Sequence, residues 1–443
     1  MRLRVLALLA LVGLASGALR AEEASPPPLP EVTPGEPLSL EEALRLVAAR
    51  PQLTAQALAS LDRAEAALKA SWAVLVPTAS ASLAYSRWDH AVEFQDRVYQ
   101  AQDDLDGGLL LSVPLVSART WLAVRAAASG TRVAELGLEV VRQALLLSVA
   151  RAHYQALGLL SLAEVQRAQL RASARHAEVA SIRHRSGTGA RVEVLRARTD
   201  LLQSREALES TLLGLDNARE ALASLTGLEG LPLPVAEADP PAPPAELTRL
   251  LELGRQQRED LRLARASQEQ ADRALDASWM QLVPSLNLAW QFAWQITDPP
   301  ASAGGFTQDP TRWFLGLTLH IPLFDETRYA DLDLKRAELT LAERQAEEAE
   351  RQAALAIRQA ARERQKSLVL LTAAAERSRL AKETLTLAEE AYRAGTGSSL
   401  EVTDARRASQ TAEVDLVAKR VAAQLILLEL WRAVGQDLTA LPP

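Results

Sequence analysis

The sequence predicts a mainly α-helical chain with a membrane β-barrel component, built as two tandem structural repeats. Three observations predict it. First, SWMQLVPSLNLAW at 278–290 echoes SWAVLVPTASASL at 71–83, placing Trp279 on Trp72 and Pro284 on Pro77 at an offset of 207. A fixed offset of this kind is the mark of duplication. Second, residues 117–186 and 326–394 contain no proline and carry apolar residues at helical spacing. At 1.5 Å per residue, each such stretch would reach about 100 Å as helix. Third, short stretches between the helices switch to an alternation of period two, the spacing of a half-buried strand.

The echo continues through both halves at an offset of 208. SVPLV (112–116) matches HIPLF (320–324), and SGTGARVEVLRAR (186–198) matches AGTGSSLEVTDAR (394–406). The halves also close alike, with Thr226-Gly227 against Val434-Gly435.

Taken in order, residues 1–21 read as a secretory signal peptide: a basic start (Arg2, Arg4), an apolar run from Val5 to Ala15, then small residues, with cleavage after Ala18 or Ala21. Residues 22–38 form an extended, Pro-rich N-terminal segment. The first repeat spans 39–227, a Pro-rich linker covers 228–246, the second repeat spans 247–435, and 436–443 are a tail. Within each repeat the order is a shorter helix (39–72, 246–279), a strand pair, a long helix ending at a Gly-Thr-Gly turn, and a second shorter helix (191–226, 399–434). The turns are Gly187–Gly189 and Gly395–Gly397. Glycine there suits a helix C-cap with positive φ.

The strands fall near 77–88, 104–115, 284–297 and 312–323. In the third, Leu286, Leu288, Trp290, Phe292, Trp294 and Ile296 alternate with Ser285, Asn287, Ala289, Gln291, Ala293, Gln295 and Thr297. About ten residues is the length that crosses a bilayer as tilted strand. Of the 18 Phe, Trp and Tyr residues, 15 lie in 72–121 and 279–329. Trp72, Trp121, Trp279 and Tyr329 sit at the helix-side ends of the strands, and Trp88, Trp294 and Trp313 toward the far ends. Rings at both borders of an apolar band are the girdles of a membrane barrel. Four prolines (Pro77, Pro114, Pro284, Pro322) are placed by the pattern at helix–strand boundaries.

Four strands cannot close a barrel, and open edges are not tolerated in lipid. Other copies must supply the rest. Two copies give eight strands with a filled interior; three give twelve and a lumen, which suits the Ser, Thr, Asn and Gln on the inward face. The long helices of a homotrimer then form an α-helical barrel beneath it.

Composition excludes several classes. There is no cysteine, hence no disulfide, thiol catalysis or Cys-based zinc site. The formal net charge of −7 argues against nucleic acid. The five histidines (90, 153, 176, 184, 320) show no ligand spacing, no nucleophile elbow occurs, and His176 and His184 are expected to be solvated. No enzyme, cofactor or metal is expected. Only two methionines, Met1 and Met280, leave no methionine-lined path.

LSLEEAL (38–44), the paired LVP segments (75–77, 282–284), HIPLFDETRYAD (320–331) and AYRAGTGSSLEVTDARRA (391–408) together resemble the TolC family of outer-membrane efflux and secretion ducts. The resemblance covers the mature chain. It implies a trimer whose twelve-stranded barrel lies in the outer membrane of a Gram-negative bacterium, in contact with outer-membrane lipid. It also implies an α-helical barrel in the periplasm, docked through its tip to a periplasmic adaptor protein that links it to an inner-membrane pump of RND or ABC type. The family's tip pattern falls here on Tyr392, Gly395, Glu401 and Asp404, which implies a periplasmic gate at Tyr392, Glu401 and Asp404. Gly187, Gly189, Gly395 and Gly397 become the adaptor-facing turns. Some members carry Arg where Gly397 stands, and in the first repeat Arg196 replaces the second acid. A passive outer-membrane porin and a periplasmic coiled-coil scaffold are the alternatives. The first does not need ~70-residue helices, and the second does not need Trp-rich alternating strands.

Overall fold

A computed structural model describes residues 32–94, 97–236, 246–296, 309 and 311–437. The signal segment, residues 26–31 and 237–245 of the Pro-rich stretches, and residue 297 at the end of the third expected strand lie outside the described residues. In chain order the elements are β1 (Pro37–Leu38), α1 (Leu40–Ala48), α2 (Ala55–Ala73), β2 (Thr78–Arg87), β3 (Val92–Phe94), β4 (Arg97–Gln100) and β5 (Asp103–Val116). They continue with α3 (Ala118–Arg185), α4 (Arg191–Thr226), β6 (Leu233–Pro234), α5 (Leu247–Gln257), α6 (Glu259–Trp279), β7 (Ser285–Gln295), β8 (Thr311–His320), α7 (Glu326–Arg393) and α8 (Ser399–Val434).

The helices α3 and α7, 68 residues each, run without interruption because neither contains proline. Each pairs with the 36-residue helix that follows it, α4 and α8. The seams between paired helices use small residues. Ala163, Ala177, Ala180 and Ala197 are buried, and the Ser173 and Ser204 hydroxyls meet at 3.0 Å between α3 and α4. Small side chains let two backbones approach, so long helices stay in contact over many turns. The largest core cluster lies midway along the bundle, where Leu44 and Val47 of α1 meet Leu146 and Val149 of α3, Leu222 of α4, and Leu427, Leu428 and Trp431 of α8. Each such leucine contributes about 1.5–3 kcal/mol by leaving water.

Two expected helices are broken. The stretch 39–72 divides into α1 and α2 around a 3₁₀ turn at Pro51–Thr54, and 246–279 divides into α5 and α6 at Arg258. Pro51 forces Arg50 into an extended conformation (φ −110°, ψ 95°), which ends α1. The second break has no proline. Its cause is visible at the same repeat position: Arg50 Nη1 donates to Gly227 O at 2.6 Å, and Arg258 Nη1 donates to Ala433 O at 2.9 Å. Both arginines, 208 residues apart, reach from a helix break to the C-terminus of their repeat's last helix, where a cation meets the negative end of the helix dipole.

The Pro-rich segments pair with each other, β1 running parallel to β6. Arg219, with no exposed side-chain surface, joins them, donating to Thr33 O (2.8 Å), Pro34 O (3.4 Å), Leu231 O (2.6 Å) and Pro232 O (2.8 Å).

The four long strands form one antiparallel sheet in the order β2-β5-β7-β8. Pro77 and Pro284 precede β2 and β7, and Pro322 follows β8. Pro114 is not at a boundary. It lies inside β5, where the register shifts between Pro114 and Val116. Leu115 is the extra residue left outside the ladder, and Pro114, paired with Asn287 beside it, sits where the ladder is already interrupted. A short hairpin, β3 with β4, lies between β2 and β5.

The exposed sheet and the helical tip as candidate functional sites

Register decides what each face of the sheet presents. Directly paired residues point to the same side. Ala81, Leu109, Phe292 and Trp313 form one row, and Ala79, Leu111, Trp290 and Leu315 the next. The alternations of all four strands therefore merge into a single apolar face, and it is uncovered: Leu83, Trp313 and Leu317 are each more than 60% exposed. The opposite face carries Ser80, Ser82, Ser112, Asn287, Gln291, Arg312 and Thr318. Asn287 Nδ2 donates to Ser112 Oγ at 3.1 Å, and Gln295 Nε2 to Asp104 Oδ1 at 3.2 Å. Leu110 and Phe314 depart from this polar face, the Phe314 ring covering Gly316. The outer strands β2 and β8 each have one edge with no strand beside it among the described residues.

The aromatic residues frame this sheet. Trp72, at the end of α2, and Trp121, in the first turn of α3, meet edge to face at 5.7 Å. Trp279 closes α6 under the Arg336 guanidinium at 5.1 Å, and Tyr329, in the first turn of α7, lies 6.3 Å from Phe324. Trp88 follows β2, while Trp294 and Trp313 lie on the apolar face. Among the described residues no helix is long and apolar enough to cross a membrane.

At the far end of the long helices the two turns share one geometry. Thr188 N donates to Arg183 O (2.9 Å) and Gly189 N to the same oxygen (3.0 Å); Thr396 N and Gly397 N both reach Ala391 O at 3.0 Å. Gly187 and Gly395 each sit at φ +80°, where a side chain is strained. Gly189 and Gly397 do not have positive φ. Their reason is space, since a β-carbon would lie 3.0 Å from Arg183 Cβ and 3.1 Å from Ala391.

Glu401 and Asp404 lie one turn apart on α8, both exposed. Glu401 also holds the start of its own helix. Its Oε2 accepts from Ser398 N at 3.1 Å while Ser398 Oγ accepts from Glu401 N at 3.2 Å, a capping box. Tyr392 faces the first repeat, with the Arg183 guanidinium 4.6 Å above its ring. Arg196 lies on α4 two turns after Gly189. The structure thus brings Tyr392 to the seam between repeats and leaves Glu401 and Asp404 facing outward.

Sequence reasoning missed the residues that tie the tip together. Arg407 Nη2 donates across the repeats to Asp200 Oδ1 at 3.3 Å, and within the second repeat Arg406 Nη2 donates to Glu389 Oε1 at 3.0 Å. His176 is not freely solvated but half-buried in a groove of about 540 Å³ lined by Arg175, Arg183, Glu389, Tyr392 and Arg406. His184 Nδ1 lies 3.0 Å from Gly189 O and closes the turn locally. The density of arginine near both turns was the available signal for the groove. No cluster among the described residues could hold a metal ion.

Comparison with known proteins gives one consistent answer. The family model described as outer membrane efflux protein matches residues 44–228 and 250–436, one match on each repeat. Outer membrane protein TolC of Vibrio cholerae is 26% identical over 394 residues, 87% of each chain. Among solved structures, the CmeC outer membrane channel of Campylobacter jejuni superposes with a TM-score of 0.76 at 18% identity, covering 89% of this chain and 85% of that one. The outer membrane protein VceC of Vibrio cholerae gives 0.74 at 19% identity, covering 90% and 96%.

Proposed function

The chain belongs to the outer membrane efflux protein family, a family of channels, and from that premise we propose that it is the exit duct of a tripartite efflux or type I secretion system. One observation carries the reading: a four-stranded sheet, apolar on one face, polar on the other and, among the described residues, open at both edges, joined to uninterrupted 68-residue helices. Hydrocarbon leaves no backbone amide unpaired, so β8 of one copy pairs with β2 of the next until a cylinder closes. Three copies give twelve strands and a wet lumen. The apolar face then meets outer-membrane lipid, with Trp72, Trp88, Trp121, Trp279, Trp294, Trp313 and Tyr329 at its borders.

Below the membrane the two repeats, 39–227 and 247–435, contribute two helical hairpins per copy to a periplasmic tube about 100 Å long. Its turns at Gly187, Gly189, Gly395 and Gly397 face a periplasmic adaptor, which connects the duct to an inner-membrane pump. Tyr392, Glu401 and Asp404 form the gate. Six carboxylates around the threefold axis favour cations.

The experiment is purification in detergent, mass determination by light scattering, and conductance in planar bilayers. The expected result is a trimer that conducts with cation preference and co-purifies with a periplasmic adaptor. A mature chain that is monodisperse and monomeric in water without detergent overturns the reading.

A further inference from the structure

The tip groove lies on the seam between the repeats. Its α3 wall carries Arg175, His176, Val179 and Arg183; its other wall carries Glu389, Tyr392 and Arg393 of α7 with Val402 and Arg406 of α8. Two contacts bridge the seam, Arg183 over Tyr392 and Arg407 to Asp200. His176 is the one histidine lining the groove, the residue type that small changes of environment move across physiological pH.

We propose that His176 is a proton-operated wedge: gaining a proton, it repels Arg406 across the groove and parts α3 from α7 and α8 at the tip. The proposal rests on reading this end as the one that opens.

The electrostatic setting supports it from every side of the groove. Arg406 of α8 is mostly buried, its Nη2 held by Glu389 and its Nε without a partner, so it cannot swing away to relieve a new positive charge. Arg175 and Arg183 flank the imidazole on its own helix. Opposing them, Glu389 of α7 is already shared by Arg393 and Arg406, and Asp200 of α4 is engaged by Arg407, which leaves Glu193 of α4. Burial holds the His176 imidazole below its ordinary 6.5, the Arg406 charge lowers it further, and Asp200, Glu389 and Glu193 raise it less than these lower it. Opening the groove hydrates the imidazole and separates it from Arg406, returning it toward 6.5. A histidine whose folded value is depressed stabilises the closed seam when neutral, and that contribution is lost as pH falls below 6.5 through the folded value.

The test is hydrogen exchange by mass spectrometry on the purified protein at pH 7.5 and 5.0, corrected for intrinsic rates and read over 176–186 and 391–404. The wild type should lose tip protection several-fold at the lower pH, while the core around Leu146 keeps its own. His176→Gln should hold its tip protection at both values, and His176→Lys should lack it at both. Unchanged protection in the wild type overturns the proposal. So does an equal loss in the Gln variant, a Gln variant already open at pH 7.5, or a Lys variant as protected as the wild type. Exchange reads the seam without needing a current, so failure here is distinct from absence of conductance, which would count against the duct itself.

Discussion

Gly107 on β5 lies directly opposite Trp294 on β7, and the indole fills the space where a β-carbon at residue 107 would sit, 2.0 Å from Trp294 Cε2. The pair sits on the apolar face, at the end of the sheet far from the helices. A flat ring over a glycine covers backbone that would otherwise be bare on this face.

Gly107→Val forces the ring off that position, an overpacking that costs about 1–3 kcal/mol. The expected outcome is a lower dissociation temperature of the oligomer in detergent, read by gel mobility, with a shift in tryptophan emission. Adding Trp294→Ala to Gly107→Val should cost less than the sum of the two single changes, because the clash then has no partner.

Arg219 yields a larger effect from a single side chain. Its guanidinium satisfies four carbonyls from two chain segments, residues 33–34 and 231–232, just ahead of the short β1–β6 pairing that is their other link. Arg219→Met leaves those four oxygens without their donor, a loss of about 3 kcal/mol or more. Opening of the N-terminal segment should then be roughly a hundredfold more frequent. Limited proteolysis checks this: cleavage within residues 32–38 should accelerate while the long helices stay intact.

Much of this architecture was legible because it rests on repetition. Alternation marked the strands, and the register then placed Leu109, Phe292 and Trp313 in one row. Freedom from proline marked α3 and α7. What stayed hidden depends on contacts between distant residues. Arg219 reads as a surface cation on α4, since nothing nearby in sequence announces that residues 33–34 will cover it. The break at Arg258 has no proline, and only its offset of 208 from Arg50 pointed to it. Pro114 suggested a strand boundary, whereas it lies within β5 beside a bulge at Leu115. His176 looked solvated because its helix is mostly polar there, and the burying wall comes from the other repeat.

The tip carboxylates allow charge and capping to be separated. Glu401→Ala removes the capping box as well as a charge, a loss of about 1 kcal/mol at the start of α8 that confuses any gating readout. Glu401→Gln with Asp404→Asn keeps the box, because Gln at that position serves equally. The expected outcome in planar bilayers is a marked fall in cation preference with unchanged trimer stability. If both conductance and selectivity match the wild type, Glu401 does no more than cap its helix.

The Arg258 break supplies a pH prediction at the middle of the bundle. Asp260 Oδ1 accepts from Arg258 Nε at 2.9 Å and from Leu261 N at 2.9 Å, while Oδ2 accepts from Arg258 Nη2 at 2.5 Å. The same guanidinium reaches Ala433 O, so the carboxylate orients the arginine that closes α8. Burial alone would raise the Asp260 carboxyl. The bonds and charge of Arg258, the Leu261 amide and the Arg432 charge outweigh it and hold the group below 3.8. A carboxyl depressed in the folded state adds stability that is fully present above its unfolded value and disappears as pH falls through the folded one. Asp260→Asn should therefore exchange amide hydrogens over 255–262 faster than wild type at pH 7. The gap should narrow as pH drops below 3.8, where the wild type loses the same charge. A gap that stays constant down to pH 2 would show that the aspartate acts there through shape alone.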